Sequence, residues 1–229
     1  MQNVGDLPSL PVVKLTGLSF VIAMSAINLN AGEPRFFRTY KSSKFQSPNC
    51  KIWEAARATT AAPTFFKSID IDGEPFVDGG LGRNNPIKQV LQEAEIIFPD
   101  QHLACIVSIG TGQAETISIP TPRWFQRAIP LHVVDAIRSI CTDCEESAQD
   151  ATRRFEHTPG VYFRFNVEQG LQKVRLEEWR RLNEVRAHTR QYIQMANVNP
   201  RLDAAVASIC GRQRVVPTAH ISKGDAIPF

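Results

Sequence analysis

An α/β layered domain, with a sheet flanked by helices, is the fold class that this sequence predicts. Residues 17–28 (GLSFVIAMSAIN) are β-rich and apolar nearly throughout, as expected of a strand covered on both faces. Residues 161–167 (VYFRFNV) alternate, which marks a strand with one wetter face. Strands and helical stretches then follow in the order strand, strand, helix, hairpin, helix, strand, helix, strand, helix, the interleaving that layered α/β domains require.

After the first strand, a second is expected at Phe36–Tyr40. Ser47-Pro48-Asn49 is turn-like, and Ile52–Ala58 consists of good helix formers that Pro63 stops, giving a short helix packed through small residues. Phe65–Val77, with its Asp72-Gly73 turn and Pro75, reads as a hairpin leading into the loop Asp78-Gly79-Gly80-Leu81-Gly82. Asn85 is the expected N-cap of the next helix. Pro86 takes its first position, and Ile87, Val90, Leu91 and Ala94 supply its buried stripe.

Leu103–Ile109 is an apolar strand ending in Gly110-Thr111-Gly112, an ordinary strand end and turn. Val133, Val134, Ile137, Ile140 and Cys141 have helical spacing, and the polar residues 145–154 continue that helix towards solvent up to Phe155. Leu176, Trp179, Leu182, Val185, Tyr192 and Ile193 predict one long amphipathic helix over 176–195. Trp53 and Trp179 are assigned to the core or its rim. A short helix at 202–210 precedes a polar tail containing Pro and Gly, expected to be loosely ordered, so residues 11–198 form the domain and 199–229 an appendage.

Composition narrows the function classes. A chain of 229 residues, 43% hydrophobic and 21% charged, can bury a sizeable core and is expected to be a soluble globular protein. Its longest nearly apolar run, Leu18–Ile27, is interrupted by Ser19 and Ser25 and is far too short to span a bilayer. Met1–Ser9 carries Asp6 and no basic region ahead of an apolar one, so no signal peptide is expected. A cytoplasmic location follows, with peripheral membrane attachment left open. Five scattered cysteines argue for reduced thiols rather than a disulfide framework. The net charge of +3 comes from 26 basic and 23 acidic residues interleaved along the chain, so no nucleic-acid footprint is present, while weak attraction to anionic lipid stays open.

Cys141-x-x-Cys144 stands without a second ligand pair, and His132 and His157 lie at no recognised spacing from it, so no metal is expected. Nothing selects one of the five histidines (His102, His132, His157, His188, His220) for a Ser-His-Asp triad. Arg175, Arg180, Arg181, Arg186 and Arg190 offer a basic helix face. Glu177, Glu178 and Glu184 offset it, and Glu177 stands at ion-pair spacing from Arg180 and Arg181, so a self-paired solvated face is expected.

The chemistry concentrates in residues 53–66 (WEAARATTAAPTFF), followed by residues 78–86 (DGGLGRNNP). An Asp followed by two glycines at a strand end puts a carboxylate on a tight loop where backbone can approach a ligand. The tripeptide alone is also an ordinary turn.

Together with residues 37–40, the runs 52–66 and 76–86, residues 107–112 and residues 162–166, this sequence resembles the patatin-like phospholipases, most strongly the fungal type. The resemblance implies a three-layer α/β fold, with helices on both faces of a central, mostly parallel sheet. It also implies lipid acyl ester hydrolysis by a serine–aspartate dyad without a metal or organic cofactor. Asp78 would be the base, Gly79 and Gly80 its supporting loop, and lipid acyl esters at a membrane or lipid surface the substrate. No Gly-x-Ser-x-Gly occurs in the 229 residues, and Ser108-Ile109-Gly110-Thr111-Gly112 places its serine before both glycines. The chain is therefore expected to be the C-terminal part of such a domain, truncated at the N-terminus. It would be inactive alone and completed by a missing N-terminal segment or partner chain. The alternative is a pseudoenzyme that binds a lipid or a protein.

Overall fold

The computed structural model describes residues 23–28, 30, 32, 34–40, 47–62, 65–80, 84–112, 144–172, 174, 178–211 and 215–221. The chain divides into two compact units, Met1–Gly79 and Gly80–Phe229. Helices and sheets occur together, as an α/β chain requires.

The first unit holds β1 (Ala23–Asn28), β2 (Pro34–Arg38), α1 (Ile52–Thr59), β3 (Ile69–Ile71) and β4 (Glu74–Asp78). Its strands form one sheet in the order β2-β1-β4-β3. The hairpin between β3 and β4 turns at Asp72 (φ 55°) and Gly73 (φ 80°), the two positive φ values that a type I′ turn needs. Helix α1 places Ala55 and Ala58 one turn apart on its buried side, and their small side chains let it settle against Ala26, Ile71 and Phe76. Phe37 meets Phe76 edge-to-face at 5.2 Å in the same cluster. The N-terminus of α1 is closed by Glu54, whose carboxylate accepts the Lys51 N–H at 2.7 Å.

The second unit holds α2 (Ile87–Ile97), β5 (His102–Leu103), β6 (Ile106–Ile109), a helix α3 described over 144–154, and β7 (Tyr162–Phe165). A 3₁₀ turn (Trp179–Arg181), α4 (Leu182–Ile193), α5 (Asn199–Gly211) and β8 (Val216–Pro217) follow. β6 and β7 pair in parallel, with Ile106 opposite Tyr162 and Ile109 opposite Phe165. Ile87, Leu91, Ile106, Ala151, Phe155, Val161, Val216 and Ile221 make the core. Lys88 and Asp150 tie α2 to α3 through a 2.6 Å ion pair.

Several expectations need correction. The described strand pairings are antiparallel except β6 with β7, where a mostly parallel sheet was expected. A two-residue turn such as Asp72-Gly73 can join only antiparallel neighbours. The strand expected over 103–109 is two strands, because β5 leaves to pair with β8.

Helix α2 starts at Ile87, with Pro86 at the cap position and the Asn85 side-chain oxygen accepting the Ile87 N–H at 3.4 Å. Val90, assigned to the buried stripe, is half exposed, while Ile87, Leu91 and Ala94 face the core.

The long helix expected over 176–195 is a 3₁₀ turn followed by α4, with Leu182 exposed and Tyr192 buried. Trp179 is 69% exposed, its ring covered by Arg180 rather than by core, and Trp53 is 56% exposed.

The tail differs most. Val216 and Ile221 are fully buried, the Thr218 N–H donates to the Gln101 carbonyl at 3.0 Å, and Arg154 donates to the Ile221 carbonyl. Helix α5 is also longer than the expected 202–210. The remaining expectations, for residues 17–22, 63, 133–143, 175–177 and 222–229, lie outside the described residues.

Candidate active site

Asp78 is the last residue of β4. Phe76 and Val77 before it project to opposite faces and both are buried, so both faces of the strand are covered as it delivers the carboxylate. Asp78 lies opposite Ala26 of β1, a residue with no exposed surface. Its N–H donates to the Ala61 carbonyl at 3.1 Å. Ala61 is itself buried and follows directly on α1. Sheet register on one side and the end of a helix on the other therefore fix the Asp78 backbone, while its side chain is half-buried. Gly79, next in the chain, is buried, and Gly80 opens the second unit half-buried. A fixed backbone, a carboxylate near the surface and an adjoining glycine make an arrangement that can accept a proton from a nucleophile brought beside it.

Behind the strand end, Asn28 is buried and its side-chain amide donates to Glu74 at 2.7 Å, while its Oδ1 accepts the Asn30 N–H at 2.8 Å. Sequence reasoning missed this pair. The register between β1 and β4 sets Asn28 opposite Phe76, and pattern alone does not reveal that register.

In the second unit, Asn85 is buried, and its amide donates to the Cys144 carbonyl at 3.2 Å in addition to capping α2. The strand end at Gly110-Thr111-Gly112 is closed by protein. The Gly112 N–H donates to Asn166 Oδ1 at 2.7 Å, and a Cβ on Gly110 would lie 2.3 Å from that oxygen. Arg164 donates to Ser108 Oγ at 3.0 Å and to Cys144 Sγ at 3.7 Å.

Among the described residues no group of His, Cys, Asp and Glu is arranged to hold a metal ion. Cys50, Cys105 and Cys210 are free thiols, and burial pushes Cys50 and Cys105 upward, with Glu54 adding to the rise at Cys50. Cys141, the other half of the CxxC pair, lies outside the described residues, as do His132 and the side chain of His220. His102 and His157 are exposed and His188 packs against Gly170. Arg181 pairs with Glu178 and Glu184, so the basic helix face is self-paired there, while Glu177 lies outside the described residues. None of the described helices is long and apolar enough to cross a membrane.

Comparison with known proteins finds similarity over part of this chain. The family described as Patatin-like phospholipase matches residues 4–91, a span that includes α1, β4 and Asp78 and ends before Gly110. Phospholipase A I of Arabidopsis thaliana is 38% identical over 79 residues, covering 34% of this chain and 6% of its own length. The calcium-independent phospholipase A2-gamma of Homo sapiens is 35% identical over 116 residues, 51% of this chain and 14% of its own length. The cGAMP-activated phospholipase of Vibrio cholerae is 32% identical over 99 residues, 40% of this chain and 28% of its own length. The chain thus spans less than a third of each of these relatives. Over those residues the chain is similar to patatin-like phospholipases, a likeness that accords with an α/β fold.

Proposed function

We propose that this patatin-like chain carries the aspartate-bearing, C-terminal part of a serine lipid acyl hydrolase of the fungal type, with Asp78 as general base. The supporting observation is the strand-end carboxylate, its backbone held by Ala61 and followed by a buried glycine. A β4 covered on both faces accords with the central strand of a three-layer fold.

The chemistry is acyl transfer. A serine supplied from outside these 229 residues attacks the carbonyl carbon of a glycerolipid or phospholipid ester. The Asp78 carboxylate takes the serine proton directly, and a glycine-rich loop stabilises the oxyanion. Collapse releases the lysolipid and leaves an acyl-serine, which water cleaves to the free fatty acid. The protein works in the cytoplasm at the periphery of a lipid surface and needs no cofactor. Without its nucleophile a catalytic unit loses on the order of a million-fold in rate, so the chain alone is inactive.

A fluorophosphonate probe tests this proposal. The purified chain is expected to remain unlabelled, whereas stoichiometric labelling of one serine, lost on Asp78→Asn, overturns the divided dyad. The absence of Gly-x-Ser-x-Gly from the sequence favours one second reading, a pseudoenzyme that binds a lipid or a protein without hydrolysis. An evolved stand-alone module should run as a single monodisperse species in size exclusion, whereas a divided hydrolase domain with an uncovered sheet edge should self-associate.

A further inference from the structure

We infer that the exposed aromatic face of α1 and of the segment following it docks on an anionic lipid surface, an inference that rests on the hydrolase reading above. Ile52, Trp53, Phe65 and Phe66 are the large apolar side chains left exposed among the described residues of the first unit, and all lie on α1 or just beyond it. Trp53 and Arg57 are four residues apart and share one helix face. The Arg57 guanidinium lies over the Phe66 ring at 5.2 Å and donates to the Lys67 carbonyl at 2.6 Å, which joins the two segments into one strip.

Lys51 and Lys67 stand exposed at the two ends of this strip. The acid on α1, Glu54, is occupied with the Lys51 N–H, and the exposed Asp70 and Asp72 belong to the β3–β4 hairpin. Aromatic rings interleaved with cations suit the headgroup layer, where rings sit at the interface and basic side chains reach the phosphates. The centre of a protein–protein interface is instead depleted in lysine. The strip is also tied to Asp78, because the chain leaving α1 supplies the Ala61 carbonyl that holds the Asp78 N–H. Docking there would set the distance from the lipid surface to the carboxylate.

The test uses the full chain with Trp124→Phe and Trp179→Phe, leaving Trp53 as its tryptophan. The vesicles are of ether-linked phosphatidylcholine, with or without phosphatidylserine and carrying brominated chains. Ether lipids cannot be hydrolysed, so binding is read independently of the dyad. Trp53 emission is expected to shift to the blue and to be quenched by bromine on phosphatidylserine vesicles. Lys51→Gln and Lys67→Gln should each weaken partitioning about fivefold, and Phe66→Ser by about tenfold, through loss of its buried apolar area. No shift and no quenching on these vesicles overturns the inference. So does failure of iodide to quench Trp53 in the vesicle-free chain, since that result means protein already covers the face. Vesicle binding without any hydrolysis by a completed enzyme would support the docking face and count against Asp78 chemistry alone.

Discussion

The two units are built on different plans. The first draws its cluster from Ala26 through Phe76, with strands joined to sequence neighbours or to the next hairpin. The second assembles Ile87 with Val161 and Ile221, and β5 waits for β8 more than a hundred residues later. Short-range pairing leaves marks that a sequence shows directly: a turn dipeptide, a run of helix formers, a stop. Long-range pairing leaves almost none, because the partner is far away and its signal is only one or two apolar residues. Asp78 belongs to the locally determined plan, and its position is accordingly well fixed.

The largest stability effects should show this division. Phe76→Ala removes a ring with no exposed surface and its edge-to-face partner contact, and is expected to cost about 3–5 kcal/mol in urea unfolding. Ile221→Ala, deep in what composition reads as a loose tail, is expected to cost about 2–5 kcal/mol. A neutral Ile221→Ala would return residues 215–221 to the status of an appendage.

Gly110→Ala comes next. It drives a Cβ towards Asn166 Oδ1 and the Arg164 guanidinium, and about 1–3 kcal/mol should be lost. Adding Asn166→Ala should return part of that loss in a double-mutant cycle, because it removes the clash. Additive losses would contradict the closed strand end.

The smallest effect lies at Glu184. Hydrogen bonds from Arg181 at 2.8 and 2.5 Å hold the Glu184 carboxyl below the ordinary glutamate range. A depressed folded value adds stability above the unfolded pKa and loses it as pH falls through the folded one. Glu184→Gln should therefore slightly lower stability at neutral pH and leave it unchanged below the folded pKa, which flattens the acid side of the profile, as measured by thermal melts across the carboxylate range.

Much of the first unit was legible. Helix formers at 52–58 gave a helix at Ile52–Thr59, and Asp72-Gly73 gave the turn that the structure shows. The Asp-Gly-Gly string marked a strand end, and Asp78 closes β4. Trp53 and Trp179 were misplaced because hydrophobicity says what a side chain gains on burial, not whether a partner is present to bury it. The tail was misread because its few apolar residues stand among polar residues and turn formers, although β8 buries Val216 and the 3₁₀ turn Thr218–His220 after it buries Ile221. The Asn166 clamp and the Asn28–Glu74 pair were illegible because both depend on register between distant segments.

Hydrolysis by a completed enzyme tests the account most directly. The chain is joined in frame to an upstream segment carrying a glycine-rich loop and Gly-x-Ser-x-Gly, and fatty acid release from phospholipid is measured for the parent and for Asp78→Asn. The account predicts turnover in the parent and a loss on the order of 10⁴-fold or more in kcat for Asp78→Asn, with the melting curve unchanged. Turnover that survives Asp78→Asn would contradict the assignment of Asp78 as the base.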